Sequence, residues 1–299
     1  MAPTPNELLT DLLKNVSRSF YLTLRVLPKS VRPQISLAYL LARTTDTVAD
    51  TEIVPLEHRL RALQSLRERL VGIRTSPLDF GEMARHQGSP AERVLLENVE
   101  ASLALLQGCS EADRKLICAV LDTITSGQEL DLRRFGRCIG TAGEPVSTLA
   151  ARGDTRPASQ KIIALQTNAE LDDYTYRVAG CAGEFWTRMC RTHVFPNAKL
   201  DDSFLLKNGV RFGKGLQLVN ILRDLPADLG KGRCYLPAER LAALGLTPDD
   251  LLQPTNEPKL RPLYNEWLDH AEAHLAAGWE YTNRIPSGQM RIRLACAWP

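Results

Sequence analysis

The 299-residue sequence has almost no surplus of either charge: 37 Lys and Arg stand against 35 Asp and Glu, for a net charge of +2. A nucleic-acid surface needs a clustered basic excess, so no nucleic acid is expected as a partner. Any polyanionic ligand must be met by a local site rather than by the global field. The seven cysteines are odd in number and scattered, with no C-x-x-C pair. That spacing excludes a disulfide framework and a zinc site, and leaves small buried residues of a reducing compartment. The opening MAPTPNELLTDLLKN lacks the basic stretch and apolar run of a signal peptide. No uncharged apolar run approaches the roughly 18 residues of a membrane span. A cytoplasmic protein is the expectation. Alternating strand patterns are nearly absent, and no G-x-G-x-x-G follows a strand. GVRFGKG (209–215) lacks the Ser/Thr after its Lys that a phosphate loop requires.

What is present is helix. Hydrophobic residues make up 44% and charged residues 24%, enough for a buried core. Apolar residues recur at i, i+3, i+4 and i+7 over 6–15, 33–50, 56–72, 91–107, 111–130, 160–192, 202–225, 238–244 and 260–284. The pattern predicts one all-α domain spanning 1–299. Two stretches read as loops, 73–90 and the Gly-, Pro-, Ser- and Thr-rich 136–159; the second is long enough to expect mobility or function. Pro226 predicts a kink or an end in the helix that carries it, with Gly230–Gly232 as a flap bearing Lys231 and Arg233. In 284–299 an amphipathic helix stops while its apolar face is still developing, which predicts further helices missing from the chain.

Two polar stripes interrupt the apolar helices. In LAYLLARTTDTVAD, Tyr39, Arg43, Asp46 and Asp50 share an arc of roughly 60° at 100° per residue. In GLQLVNILRDLPAD, Gln217, Asn220, Asp224 and Asp228 fall within about 80°. One such stripe is ordinary as a solvated face; two Asp-x-x-x-Asp pairs in one helical domain suggest facing walls of a polar cavity. Carboxylates crowded together need cations, and all-oxygen donors select a hard ion such as Mg²⁺ shared with a substrate phosphate. Arg18, Arg43, Arg223, Lys231 and Arg233 accompany them, as a diphosphate would require. A di-iron site would need Glu-x-x-His, which these runs lack; the five histidines read as surface or packing residues.

VSRSFYLTLRVLP (16–28), YLLARTTDTVAD (39–50), YTYRVAGCAGEFW (174–186) and GLQLVNILRDLPAD followed by GRCYLP (215–237) together resemble the squalene/phytoene synthase family, head-to-head trans-isoprenyl diphosphate synthases. The resemblance implies an isoprenoid-synthase helical bundle with a central channel. It implies Mg²⁺ on Asp46, Asp50, Asn220, Asp224 and Asp228, with Gln217 beside the second motif. It implies diphosphate contacts from Ser17, Arg18, Ser19, Arg43, Arg223, Lys231 and Arg233. Tyr39 and Tyr174 would stand near the reacting carbons, and Phe20, Leu41, Val178, Ala179 and Gly180 would line the prenyl channel. Ala227 departs from the acidic residue often found there.

Thr47 after the first Asp and the S-R-S-F run look more like the squalene branch than the phytoene branch. The implied reaction joins two farnesyl diphosphates through presqualene diphosphate to squalene, using NADPH, in a monomer with peripheral inner-membrane contact for product release. Hydroxysqualene, dehydrosqualene or phytoene synthesis are the alternatives. Head-to-tail synthases rank lower because no Asp-Asp-x-x-Asp occurs, and a non-catalytic assembly factor lower still, having no reason to keep both aspartate pairs.

Overall fold

Helix starts in this chain are written in short polar side chains. Ser110 accepts a hydrogen bond from the Asp113 amide at 3.1 Å, Thr167 from Glu170 at 3.2 Å, and Asp201 from Phe204 at 3.0 Å. Each satisfies an amide that the first helical turn leaves without a partner. The computed structural model describes residues 7–17, 20–136 and 161–297. Arg18, Ser19 and nearly all of the 136–159 loop lie outside the described residues.

The order is a π-helical turn and α1 (Leu13–Ser17), α2 (Phe20–Val26), α3 (Arg32–Asp50), α4 (Leu56–Leu70), α5 (Gly81–Arg85), α6 (Pro90–Glu97), α7 (Val99–Gln107) and α8 (Glu111–Phe135). Then follow β1 (Ile163–Ala164), α9 (Asn168–Thr175), a π-helical turn Tyr176–Gly180, α10 (Cys181–His193), α11 (Asp202–Gly230) and β2 (Arg233–Cys234). The described chain closes with α12 (Ala238–Ala242), two 3₁₀ turns, α13 (Glu257–Arg284) and α14 (Met290–Cys296). The fold is all-α. Its two short strands pair in parallel, Ile163 with Arg233 and Ala164 with Cys234.

The helix spans differ from expectation in four places. Asn98 separates α6 from α7 where one helix was expected over 91–107. Residues 160–167 are not helical, because 163–164 pair with β2 before Thr167 caps α9. α8 runs to Phe135, five residues past its expected end at 130. α11 does not end at Pro226; it continues one further turn to Gly230, after which Gly232 takes φ +77°. That left-handed conformation suits glycine and turns the chain into β2.

Two apolar cores flank the centre. One gathers Leu37, Leu40 and Leu41 of α3, Leu63 and Leu66 of α4, Leu121 of α8 and Met189 of α10. The other gathers Phe135, Leu218, Leu222, Leu229, Cys234, Leu241 and Trp267. Between α10 and α11 the backbones themselves touch: a Cβ on Gly183 would lie 1.9 Å from the Gly209 carbonyl oxygen. A Cβ on Gly213 would lie 2.3 Å from that of Ala179. Only glycine permits that approach, and it sets the width of the space beside these helices. Among the described residues no helix is long and apolar enough to cross a membrane.

Candidate functional site

α3, α8, α9 and the β2 strand enclose a cavity of about 310 Å³ with a polar lining. α3 contributes Asp46 and Asp50, α8 contributes Gln128, Asp131 and Phe135, and Tyr174, Gln217, Arg233 and Tyr235 complete it. Gln128 Nε2 donates to Asp46 Oδ1 at 2.5 Å. Burial, then the charge of Asp50, raises the Asp46 carboxyl from 3.8 to about 6, against the lowering pull of Arg43 and Gln128. Burial also raises Asp50, opposed by Arg43 and Arg233. Its side chain is exposed at the rim, while the walls around it remove much of its hydration.

Beneath Asp50, Nη1 of the buried Arg59 donates to the Ala49 carbonyl at 2.8 Å and so satisfies the last turn of α3. Arg233 is the charge that links the two aspartate motifs. Its Nη2 donates to Glu52 at 3.0 Å, and its field lowers Asp50, Asp131 and Asp228 together.

A second cavity, of about 460 Å³, adjoins the first and is largely apolar. Phe20, Tyr39, Ala179, Trp186, Phe212 and Tyr281 line it, and Val178 and Gln217 belong to both cavities. Phe20 stacks on Tyr39 with ring centroids 4.8 Å apart.

The residues singled out in the sequence therefore divide. Asp46, Asp50, Tyr174, Val178, Gln217 and Arg233 meet at the polar cavity. Phe20, Tyr39 and Ala179 meet at the apolar one, as does Asn220, which sits there rather than between the carboxylates. Asp224 is bound by its neighbour: Arg223 Nε and Nη2 reach Oδ1 and Oδ2 at 2.8 and 2.7 Å, holding that carboxyl below its ordinary value. Asp228 lies on the last turn of α11, raised by burial and lowered by Arg233 and Lys231.

Three assignments sit elsewhere. Leu41 is fully buried in the core beside α4 rather than along the channel. The Ser17 hydroxyl donates to the Leu13 carbonyl at 2.5 Å within its own helix. Gly180 is closed in by Lys214, Tyr176 and Val210. Arg43 is ion-paired with Glu92 of α6.

Gln128, Asp131, Phe135 and Tyr235 were not singled out from the sequence. A signal for the first two existed in GQELDL: two polar residues one turn apart, after a glycine, on a helix otherwise apolar on that side. Gly127 lets α8 pack closely, since a Cβ there would lie 2.8 Å from the Arg177 Cβ.

A diphosphate and a hard cation both fit this cavity. The Nε atoms of Arg43, Arg59 and Arg233 and the Oε1 of Gln128 are buried with no hydrogen-bond partner among the described residues. Buried orphans of that kind call for a ligand, and here the donors suit an anion while the amide oxygen joins the Asp46 and Asp50 carboxylates. Among the described residues no three acidic, His or Cys side chains form a metal cluster. A cation at Asp46 and Asp50 would therefore need substrate oxygens and water to complete its shell, which is the habit of Mg²⁺.

A family model described as squalene/phytoene synthase matches residues 13–299. The chain belongs to the squalene/phytoene synthase family. It is 31% identical over 268 residues to a presqualene diphosphate synthase of Sinorhizobium fredii, covering 90% of this chain and 75% of that one. It is 28% identical to a presqualene diphosphate synthase of Rhodopseudomonas palustris with the same coverage. The solved squalene synthase HpnC of Alicyclobacillus acidocaldarius shares the fold at a TM-score of 0.64 and 18% identity, covering 98% of this chain and 89% of that one. The family consists of prenyltransferase-type synthases that act on prenyl diphosphates by head-to-head condensation.

Proposed function

We propose that this chain joins two farnesyl diphosphates head to head to form presqualene diphosphate. The observation that carries the reading is the pair of adjoining cavities, one polar and one apolar, with Val178 and Gln217 common to both. A prenyl diphosphate has the same division, and its allylic carbon would lie at the shared wall. Unpartnered arginine Nε–H groups suit the leaving diphosphate, and Asp46 and Asp50 would hold the divalent cation that the family's chemistry requires. Bound there, that ion would supply charge neutralisation for the leaving group. Preorganised charge at a leaving group is commonly the largest catalytic contribution. The faces of Tyr39, Phe20, Trp186 and Phe212 offer π density to an allylic cation, and the apolar walls keep water from it.

The two relatives named as presqualene diphosphate synthases support release of the cyclopropyl product. Continuation to squalene, the reading of the sequence motifs, requires a hydride from NADPH. Incubation with farnesyl diphosphate and Mg²⁺, with and without NADPH, followed by mass spectrometry of the products, tests both. Presqualene diphosphate accumulating under both conditions supports the proposal. Squalene formed only with NADPH moves the end point one step on. No diphosphate release under either condition overturns the function.

A further inference from the structure

Three groups at one side of the polar cavity form a hydrogen-bonded chain to which neither the aspartate motifs nor the arginines contribute. The Tyr235 hydroxyl lies 3.0 and 3.1 Å from the two oxygens of Asp131, to which it donates. Tyr174 stacks on Tyr235 with centroids 4.7 Å apart, and the two hydroxyls are hydrogen-bonded. A hydroxyl has one proton to give. With the Tyr235 proton given to Asp131, its oxygen remains to accept from Tyr174. Phe135 closes the other side, edge-on to Tyr235 at 5.3 Å.

Tyr174 stands one helical turn before Val178, on the wall common to both cavities. The proposed condensation must lose a proton at that place. When the double bond of the second substrate attacks the allylic cation, a tertiary cation results. The cyclopropane closes by breaking a carbon–hydrogen bond on the methylene that carried the first diphosphate, whose electron pair forms the last ring bond. Burial and the neighbouring Asp131 charge hold the Tyr174 phenol well above its ordinary value, so it does not serve as a standing phenolate. It can accept a proton only by passing its own along.

Resting on the condensation reading, we infer that Asp131 is the proton sink of ring closure, acting through Tyr235 and Tyr174. The substrate proton goes to the Tyr174 oxygen, the Tyr174 proton to Tyr235, and the Tyr235 proton to an Asp131 oxygen, which ends as a neutral carboxyl. Every bond broken is matched by one formed, and no further reactant is needed. Arg233 and Arg134 lower Asp131 and keep it an acceptor, while its own burial and the Asp228 charge raise its proton affinity. Asp131 touches no reacting atom; it is a positioning residue that sets where the proton rests.

The test compares wild type with Asp131→Asn, Asp131→Glu and Tyr235→Phe on farnesyl diphosphate and Mg²⁺, counting released diphosphate against presqualene diphosphate formed. The Asn variant keeps an oxygen for Tyr235 but cannot take a proton. Ring closure should fall at least about 100-fold, the lower end of general acid–base effects, while diphosphate release continues and the intermediate drains to farnesol-type alcohols. Tyr235→Phe should give the same partition while retaining the stacked ring, and Asp131→Glu should recover part of the cyclopropyl product. A solvent deuterium isotope effect on the partition should be present in wild type and lost in both relay-breaking variants.

Unchanged partition in folded Asp131→Asn and Tyr235→Phe would overturn the relay and leave the released diphosphate as the proton acceptor. If the Asn variant does not fold, Tyr235→Phe decides alone. Wild type that releases no diphosphate would instead defeat the condensation reading, which separates the two failures.

Discussion

The two adjoining cavities solve different problems with different residues. The polar one manages charge: Asp46 and Asp131 are each held near 6 by burial, and the buried arginine atoms around it lack partners. That arrangement costs the resting protein stability, since ionised and unpaired groups in a low-dielectric setting are unfavourable until a ligand compensates them. The apolar one manages shape: its width is set by backbone-to-backbone contact at Gly183, Gly209 and Gly213, and its faces are aromatic. The first gains from a bound ion and anion, while the second is fully built without either. Val178 and Gln217 are where the two meet, and only there can charge chemistry act on a carbon chain.

Removing the metal should have the largest effect and should fall on the polar side alone. EDTA is expected to abolish turnover with farnesyl diphosphate while the helical circular dichroism stays intact, because the apolar cores need no ion. Full activity in EDTA would break the division of roles. Next in size is Asp46→Asn. Loss of one preorganised electrostatic group commonly costs about 10²–10³ in kcat, and steady-state assays should show that loss with no loss of melting temperature. A variant that melts early and loses activity only in proportion would make Asp46 a structural residue.

The sequence made the aspartate stripes legible because a 3.6-residue period places their members on one face whatever the tertiary packing. All-α architecture was legible for the same reason. The position of α8 at the site was not. Gln128 and Asp131 are visible as polar residues on an apolar helix, but nothing local tells which neighbour that face meets. Tyr235 enters through the parallel pairing of β2 with β1, a contact across 70 residues at Ile163–Arg233 that no periodicity announces. Asn220 and Leu41 show the converse limit. Both have the helical spacing of site residues, yet side-chain direction puts one in the apolar cavity and the other in a core. Pro226 was read as a stop from its missing N–H, whereas α11 carries it through a further turn.

On the apolar side, Gly183→Ala should act through space. The added Cβ would meet the Gly209 carbonyl at 1.9 Å, so α10 and α11 must part. Overpacking of this kind costs about 1–3 kcal/mol, measurable as a lower midpoint in urea. The Mg²⁺ concentration needed for half-maximal activity should be unmoved. A shift in metal requirement without a stability loss would show that the cavities are not separable.

The smallest expected effect is on the pH dependence of the resting fold. Asp46 has a folded-state value raised from 3.8 to about 6, first by burial and then by Asp50. Such a carboxyl keeps its proton in the native protein after the unfolded chain has lost it. Stability is therefore fullest below the unfolded value and declines as pH rises from about 4 through about 6, levelling above. Asp46→Asn cannot ionise and escapes that decline. Its melting temperature relative to wild type should match at about pH 4, exceed it increasingly up to about 6, and then hold a constant lead. Asp224→Asn should behave in the opposite sense. Its carboxyl is lowered by Arg223, so the pair's small contribution is present above 3.8 and is lost as pH falls through the folded value. The penalty of Gly183→Ala, being steric, should be flat across the same range. Melting curves of the three variants against wild type at a series of pH values separate the cases. A flat difference for Asp46→Asn would mean that its carboxyl is not held protonated by burial, and the polar cavity would then carry no charge cost for a ligand to relieve.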